Sequence, residues 1–504
     1  MKFKRGIFIL LSFFIPFFSN GQSFIGFPES NYAGIIGASE QPASIVDNPY
    51  KFELCLLGVS AFAENNIASL YTDQPFMNPY SRDKYKRDLS TKAKYLYLDS
   101  EIRLPSAMYS LSKKHAVGIS TGIKTMANFD DIYAPLAHTA FTINNGSFDE
   151  QAQLELLQQP LAFKLNAMSW RELGLTYARV LSKSNEQFVK AGVTFKYIKG
   201  NGAAFGFFES EGLKIDTPNF RIADTLTMGY GISDNLGGLM RGDAYKVGSK
   251  GTFGLDIGIV TEFRNRTSVT PAFRNKIYTR KELKRNDRPY KLRLGASLID
   301  IGRIKYRYDS ANISASNLLL DSIINPLDST VNLVNFRDKF NVSSVNELND
   351  SLATILTVDP NTGKFTFGLP TRLNLNADYH IRKGYYMNFN ATVSLAALKF
   401  SDYKVHKITY FTLTPRWEND FSSAFAPIYL NTKGQVNVGL GFRLGPLVVG
   451  VNDVLPLLTR KKMESQGAYV ALKTFIIPRK PKSPLDCQGV WDGWIRNKKK
   501  GRKN

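Results

Sequence analysis

The sequence predicts an all-β protein, a transmembrane antiparallel β-barrel of about fourteen strands, with a short N-terminal hatch-like segment before it and a basic tail after it. Three observations predict this. The chain opens with an export signal. No later run reaches the 18 apolar residues that a membrane helix needs. Polar and apolar residues alternate over segments long enough to cross a bilayer as tilted strands.

In the export signal, Lys2, Lys4 and Arg5 form a cationic n-region, and Ile7 to Phe18 form a short apolar run. Ser19 and Gly21 are the small residues expected before a cut between Gly21 and Gln22. Residues 1–21 are therefore expected to be removed as a signal peptide. Loss of the three basic residues lowers the formal charge from +22 to +19. In an exported chain that excess points to lipid phosphates or cell-wall polymer, and away from nucleic acid. Two cysteines, Cys55 and Cys487, exclude a disulfide scaffold.

The clearest alternation lies at 372–395. Leu373, Leu375, Ala377, Tyr379 and Ile381 alternate with Arg372, Asn374, Asn376, Asp378 and His380. After Arg382-Lys383-Gly384, Tyr385, Met387, Phe389 and Ala391 alternate with Tyr386, Asn388, Asn390 and Thr392. Successive strand side chains point to opposite faces, so this is a hairpin with one apolar and one polar face. A soluble sandwich also alternates. Here, however, the apolar face is long and aromatic, and Arg, Asp and His stand side by side on the polar face, which suits a wet lumen. Arg372, Asn374, Asn376, Asp378, His380, Asn388 and Asn390 are the expected lumen wall.

Read in order, the strands fall near 52–70, 93–112, 115–125, 171–182, 188–199, 251–264, 290–299, 365–381, 384–397, 406–417, 422–431, 434–444, 446–453 and 466–477. Short turns at 112–114, 182–187, 382–384 and Gly445-Pro446 follow even-numbered strands, and the long polar stretches 126–170, 200–250 and 309–364 follow odd-numbered ones. That parity puts the short turns and both termini in the periplasm and the long stretches outside. The basic connection 265–289 breaks the pattern, being long on the short-turn side. The chain thus divides into a signal (1–21), an N-terminal segment (22–50), a barrel in the outer membrane (51–477) and a periplasmic tail (478–504).

The block ELGLTYARVLSKSNEQFVKAGVTFKYIKG (172–200), with FGLDIGIVTEF (253–263) and LGASLIDIGRIKYR (294–307), resembles an uncharacterised Bacteroidota outer-membrane barrel family. That family is similar to the long-chain fatty-acid transporter superfamily and to PorV, the barrel subunit of the type IX secretion system. The resemblance implies an N-terminal hatch with an Asn-Pro-Ala core in the periplasmic mouth. Pro42, Ala43, Ser44 and Ile45 match it, with Gln41 where Asn is usual. Physically, Pro42 suits a first helical turn, Asp47 and Asn48 can break it, and Pro49 favours extended chain before the first strand. An ordered linker without a gating role reads equally well.

Catalytic chemistry is sparse. Gly118-Ile119-Ser120-Thr121-Gly122 has the spacing of a nucleophile elbow, but lies inside an alternating strand and not at a strand-to-helix turn. Gly200-Asn201-Gly202 fails as a dinucleotide fingerprint at Phe205. His115, His138, His380 and His406 show no metal-ligand spacing, so neither metal nor cofactor is implied. A closed barrel sets its first and last strands side by side, which offers Cys55 and Cys487 as a tail-to-barrel disulfide. In the tail, Trp491, Trp494 and Ile495 offer a docking surface, while Lys498, Lys499, Lys500, Arg502 and Lys503 suit phosphates; a solvated tail is the alternative.

Two functions follow, neither enzymatic. One is a passive channel or binder for a small apolar ligand, embedded in outer-membrane lipid. The other is an adaptor or assembly subunit of a secretion or envelope complex, meeting protein partners through its external loops or basic tail. A ligand-sized apolar pocket under the external loops favours the first, and a filled lumen with an exposed apolar patch on loops or tail the second.

Overall fold

The computed structural model describes residues 24–71, 85–87, 92–112, 114–134, 160–183, 187–210, 214–216, 221–236, 248–264, 290–307, 313–319, 356–360, 363–382, 384–397, 401, 403–455 and 462–478. Fourteen strands close a barrel: β1 (Tyr50–Asn65), β2 (Lys94–Ser110), β3 (His115–Ile132), β4 (Leu161–Lys183), β5 (Gln187–Ser210), β6 (Thr252–Arg264), β7 (Tyr290–Arg307), β8 (Arg372–Arg382), β9 (Tyr385–Ser394), β10 (Tyr410–Glu418), β11 (Ser422–Phe425 and Ile428–Asn431), β12 (Val436–Val438 and Leu440–Leu444), β13 (Leu447–Val451) and β14 (Ser465–Pro478). Each pairs antiparallel with the next, and β1 closes the ring between β2 and β14, with Ala61 opposite both Ser100 and Ala468. Among the described residues no helix is long and apolar enough to cross a membrane.

Burial is inverted relative to a water-soluble protein. Leu175 and Phe195 point outward, 57% and 62% exposed, while Arg443 and Lys473 point inward at 0%. Large apolar side chains stand exposed on every strand, from Leu57 on β1 to Leu472 on β14. Only lipid makes that face favourable, and only a closed ladder satisfies every backbone group there. Aromatics gather at the outer rim at the short-turn end of the barrel (Tyr109, Phe263, Tyr385 and Trp417), as interfacial girdles do.

The strands run further than alternation suggested. β4 and β5 have 23 and 24 residues, but their exposed large apolar side chains end at Leu173 and Tyr197. Beyond those points no lipid enforces alternation. Parts of the long connections are likewise sheet: the end of β5 pairs with Arg221–Ile232, that strand with Ile313–Leu319, and that with Leu356–Pro360. β8, expected from 365, starts at Arg372. Lys364–Gly368 pairs instead with the end of β7, and Pro370, with no N–H for a ladder, lies in the break. Arg264 pairs directly with Tyr290, so β6 and β7 are neighbours and the count stays at fourteen; residues 265–289 lie outside the described residues.

Residues 24–49 do not join the sheet. They lie inside the lumen at the short-turn end, as turns and two short 3₁₀ helices, Gly37–Ser39 and Pro42–Ile45.

Candidate functional site

The lumen is filled in three layers. The first is the N-terminal segment. Pro42 opens the second 3₁₀ turn, and the Gln41 side-chain oxygen accepts from the Ala43 N–H at its start. The same amide donates to the carbonyls of Ile259 and Ala296 at 3.2 and 3.1 Å. Wall glycines permit this approach: a Cβ added at Gly192 would lie 2.5 Å from the Ala43 nitrogen, and one at Gly258 would meet the Gln41 side chain. Asp47, at φ 59°, ends the turn, and Asn48 accepts from the Tyr50 N–H as β1 begins. Phe24, Phe27, Ile35, Ile36 and Ile45 pack against inward Cys55, Met108, Ala178 and Tyr469.

Polar wall groups hold the segment by side chain and main chain alike. Lys473 pairs with Glu53 at 3.0 Å and donates to the carbonyls of Tyr32 and Ala33 at 2.7 and 2.9 Å. Glu418 accepts from Ser30 and Asn31, and Arg293 donates to the Glu29 carbonyl at 2.5 Å. Glu40 meets Arg372 at 2.9 Å and Asn374 at 2.7 Å, while Ser297 donates to its carbonyl at 2.5 Å. Burial disfavours the ionised form of Glu40, but Arg372 and Lys407 outweigh it and hold the carboxyl below its ordinary range. Glu29 has no such neighbour at bonding distance, and burial pushes it up to about 7.

The second layer is a buried ion network. Lys196 meets Asp256 and Asp300 at 2.8 and 2.5 Å, Lys124 meets Glu172 at 2.9 Å, and Arg372 reaches Asp300. The third is apolar, at the long-loop end. Phe365 and Phe367 enter from the strand before Pro370, and Tyr403, Val405 and Ile408 from the stretch before β10, joining Trp170, Phe205 and Tyr306. Tyr403 stacks on Phe205 with ring centroids 3.5 Å apart.

Of the expected wall residues, Arg372, Asn374, Asp378 and Asn388 are buried inside, with Asn390 beside them at 8% exposure. Asp378 is gripped by Arg293 and Arg416 at 3.1 and 3.0 Å. Asn374, Asn376 and Asn390 line a polar chamber of about 60 Å³ between the segment and the wall. His380 stands apart, half-buried against Tyr386. Cys55 is a free, buried thiol. Gly21, Gln22, Cys487, Lys498, Lys499, Lys500, Arg502 and Lys503 lie outside the described residues. Ser120 sits within β3, with no strand-to-helix turn. The ion layer and the apolar layer were missed. The available signal was a lone acid in an apolar strand, repeated as Asp256-Ile257-Gly258 and Asp300-Ile301-Gly302.

Geometry therefore defines a fourteen-stranded outer-membrane barrel with an occupied lumen. The chain belongs to DUF5723, a family of unknown function, whose model matches residues 42–452. No curated protein matches it. Among solved structures it is similar to a Pseudomonas aeruginosa FadL homologue (9% identity, TM-score 0.39, covering 91% of this chain and 98% of that one). It is also similar to the Ralstonia pickettii toluene transporter TbuX (10%, TM-score 0.36, 88% and 94%) and the Pseudomonas putida toluene transporter TodX (10%, TM-score 0.29, 90% and 96%).

Proposed function

We propose that this protein is a passive, non-enzymatic channel or binder for a small apolar ligand in the outer membrane, with both termini periplasmic and residues 24–49 acting as a hatch. One observation carries the reading: the segment fills the short-turn end of the lumen yet contributes no strand to the barrel. It can leave without breaking a ladder hydrogen bond, whereas any wall strand cannot. The apolar layer around Phe205, Tyr306 and Phe365 is the part of the lumen with chemistry for an apolar ligand, and the protein's own side chains occupy it here.

A disulfide tether tests this. Uptake of an apolar dye into proteoliposomes is expected to stop when Glu40→Cys and Ser297→Cys, at positions already joined by a bond of 2.5 Å, are oxidised together in a Cys55→Ser and Cys487→Ser background, and to recover on reduction. Uptake indifferent to the tether contradicts the hatch. The filled lumen is one of two features a second reading needs, the other being an exposed apolar patch on loops or tail; that reading is an adaptor that anchors loops and the 478–504 tail for an envelope complex. A stoichiometric protein partner retained on gentle extraction from the native membrane, with no dye uptake in either redox state, supports that reading instead.

A further inference from the structure

Between the hatch and the inner faces of β5 to β9 lies the chamber of about 60 Å³. That space is enough for on the order of four water molecules. Most charges around it are matched. Lys190 pairs with Glu262 at 2.6 Å, Arg293 with Asp378 at 3.1 Å, and Arg416 with Glu418 at 3.1 Å. Two side-chain oxygens of its lining residues are not: Glu29 Oε2 and Ser44 Oγ are buried without a hydrogen-bond partner. Among the lining carboxyls, Glu262 pairs with Lys190 and Glu40 with Arg372, whereas Glu29 Oε2 has no hydrogen-bond partner. A carboxylate with one buried oxygen unsatisfied is disfavoured until a proton or a cation reaches that oxygen.

We propose that this chamber binds a small primary ammonium cation, shared between Glu29 and Ser44 on the hatch and the amide oxygens of Asn376 and Asn390 on the wall. An ammonium group carries three donors and no acceptor, the complement of a carboxylate, a hydroxyl and amide oxygens. A divalent metal fits less well, because the described residues hold no group of three metal-ligating side chains. A cation held by both hatch and wall secures the closed state, whatever the barrel carries. This site therefore stands independently of the apolar ligand.

The competitor at Glu29 is the proton. Burial pushes this carboxyl up to about 7, so the ionised form that a cation needs is depleted as the pH falls through that value. Between about pH 8 and pH 5.5, the ionised fraction of such a group falls about thirtyfold.

The test is thermal unfolding of the full-length protein in detergent, titrated with methylammonium chloride against equal concentrations of tetramethylammonium chloride. The control cation matches ionic strength but is bulkier and has no N–H. At about pH 8, methylammonium is expected to raise the unfolding temperature saturably and tetramethylammonium is not. Glu29→Gln should abolish the difference, Glu29→Asp should keep it, and Ser44→Ala should weaken the apparent affinity several-fold. The difference should also vanish near pH 5.5. Equal responses to the two salts, or a response that survives Glu29→Gln, overturn the site.

Discussion

At the short-turn end of the lumen Lys473 reaches from β14 to two hatch carbonyls and to Glu53, whereas at the long-loop end Tyr403 lies flat on Phe205. The first region adds directional, charge-assisted bonds from all round the wall to its apolar packing, and the second is held mainly by apolar contact. Directional bonds are made or broken as a set, so on the proposed reading residues 24–49 have two positions, seated or gone. Apolar contact is tolerant of rearrangement, so the long-loop end can repack around a guest. The ion layer separates the two.

Four perturbations break or sharpen this contrast. The largest is Lys473→Ala, which strands buried Glu53 and frees the carbonyls of Tyr32 and Ala33; breaking a buried pair costs about 3–5 kcal/mol. Denaturant unfolding should record that loss, and protease should cut within 24–49 while the barrel resists. Next is Gly192→Val, whose side chain collides with the hatch backbone at Ala43; overpacking costs about 1–3 kcal/mol, here by displacing the hatch and leaving the long-loop end untouched. Ser297→Ala removes one bond to the Glu40 carbonyl and should cost about 1 kcal/mol in the same unfolding assay.

The smallest effect belongs to the long-loop end. Asn128 clamps the main chain of His406 with two bonds of 2.9 Å, and the ring meets Asp130 at 2.8 Å. Burial works against the charged ring, but Asp130 outweighs it and holds His406 above its ordinary value. A raised value means that the stabilisation is fully present below the unfolded value and is lost as the pH rises through the folded one. Protection of 403–409 from hydrogen exchange, taken relative to the intrinsic base-catalysed rate, should therefore fall between about pH 6 and pH 8, and Asp130→Asn should remove that fall. Exchange at 24–49 should not follow His406.

The sequence made the barrel wall legible because lipid imposes a strict period of two. Leu373 to Ile381 and Tyr385 to Ala391 could be read residue by residue, and all fourteen strands were placed. Where lipid ends, the signal ends: the upper halves of β4 and β5 carry strand geometry without an outward apolar face. Pro42 at the start of its turn and Asp47 at its end were readable, because backbone restriction is local. The partners of Glu40 were not, since Ser297, Arg372 and Asn374 lie more than 250 positions away. Nor was the inward path of Phe365 and Tyr403. An aromatic in a polar stretch looks the same whether it turns into a lumen or onto a surface.

The account rests on residues 24–49 sealing a lumen that contains a native reporter, the buried thiol of Cys55. The direct measurement is its rate of modification by a small membrane-impermeant maleimide in a Cys487→Ser protein, in intact outer-membrane vesicles. With the hatch seated, Cys55 is expected to be silent, and to react at least ten times faster after Lys473→Ala or Gly192→Val. Rapid labelling of the otherwise unaltered protein, or equal rates in all three, would contradict a lumen closed by its own N-terminal segment.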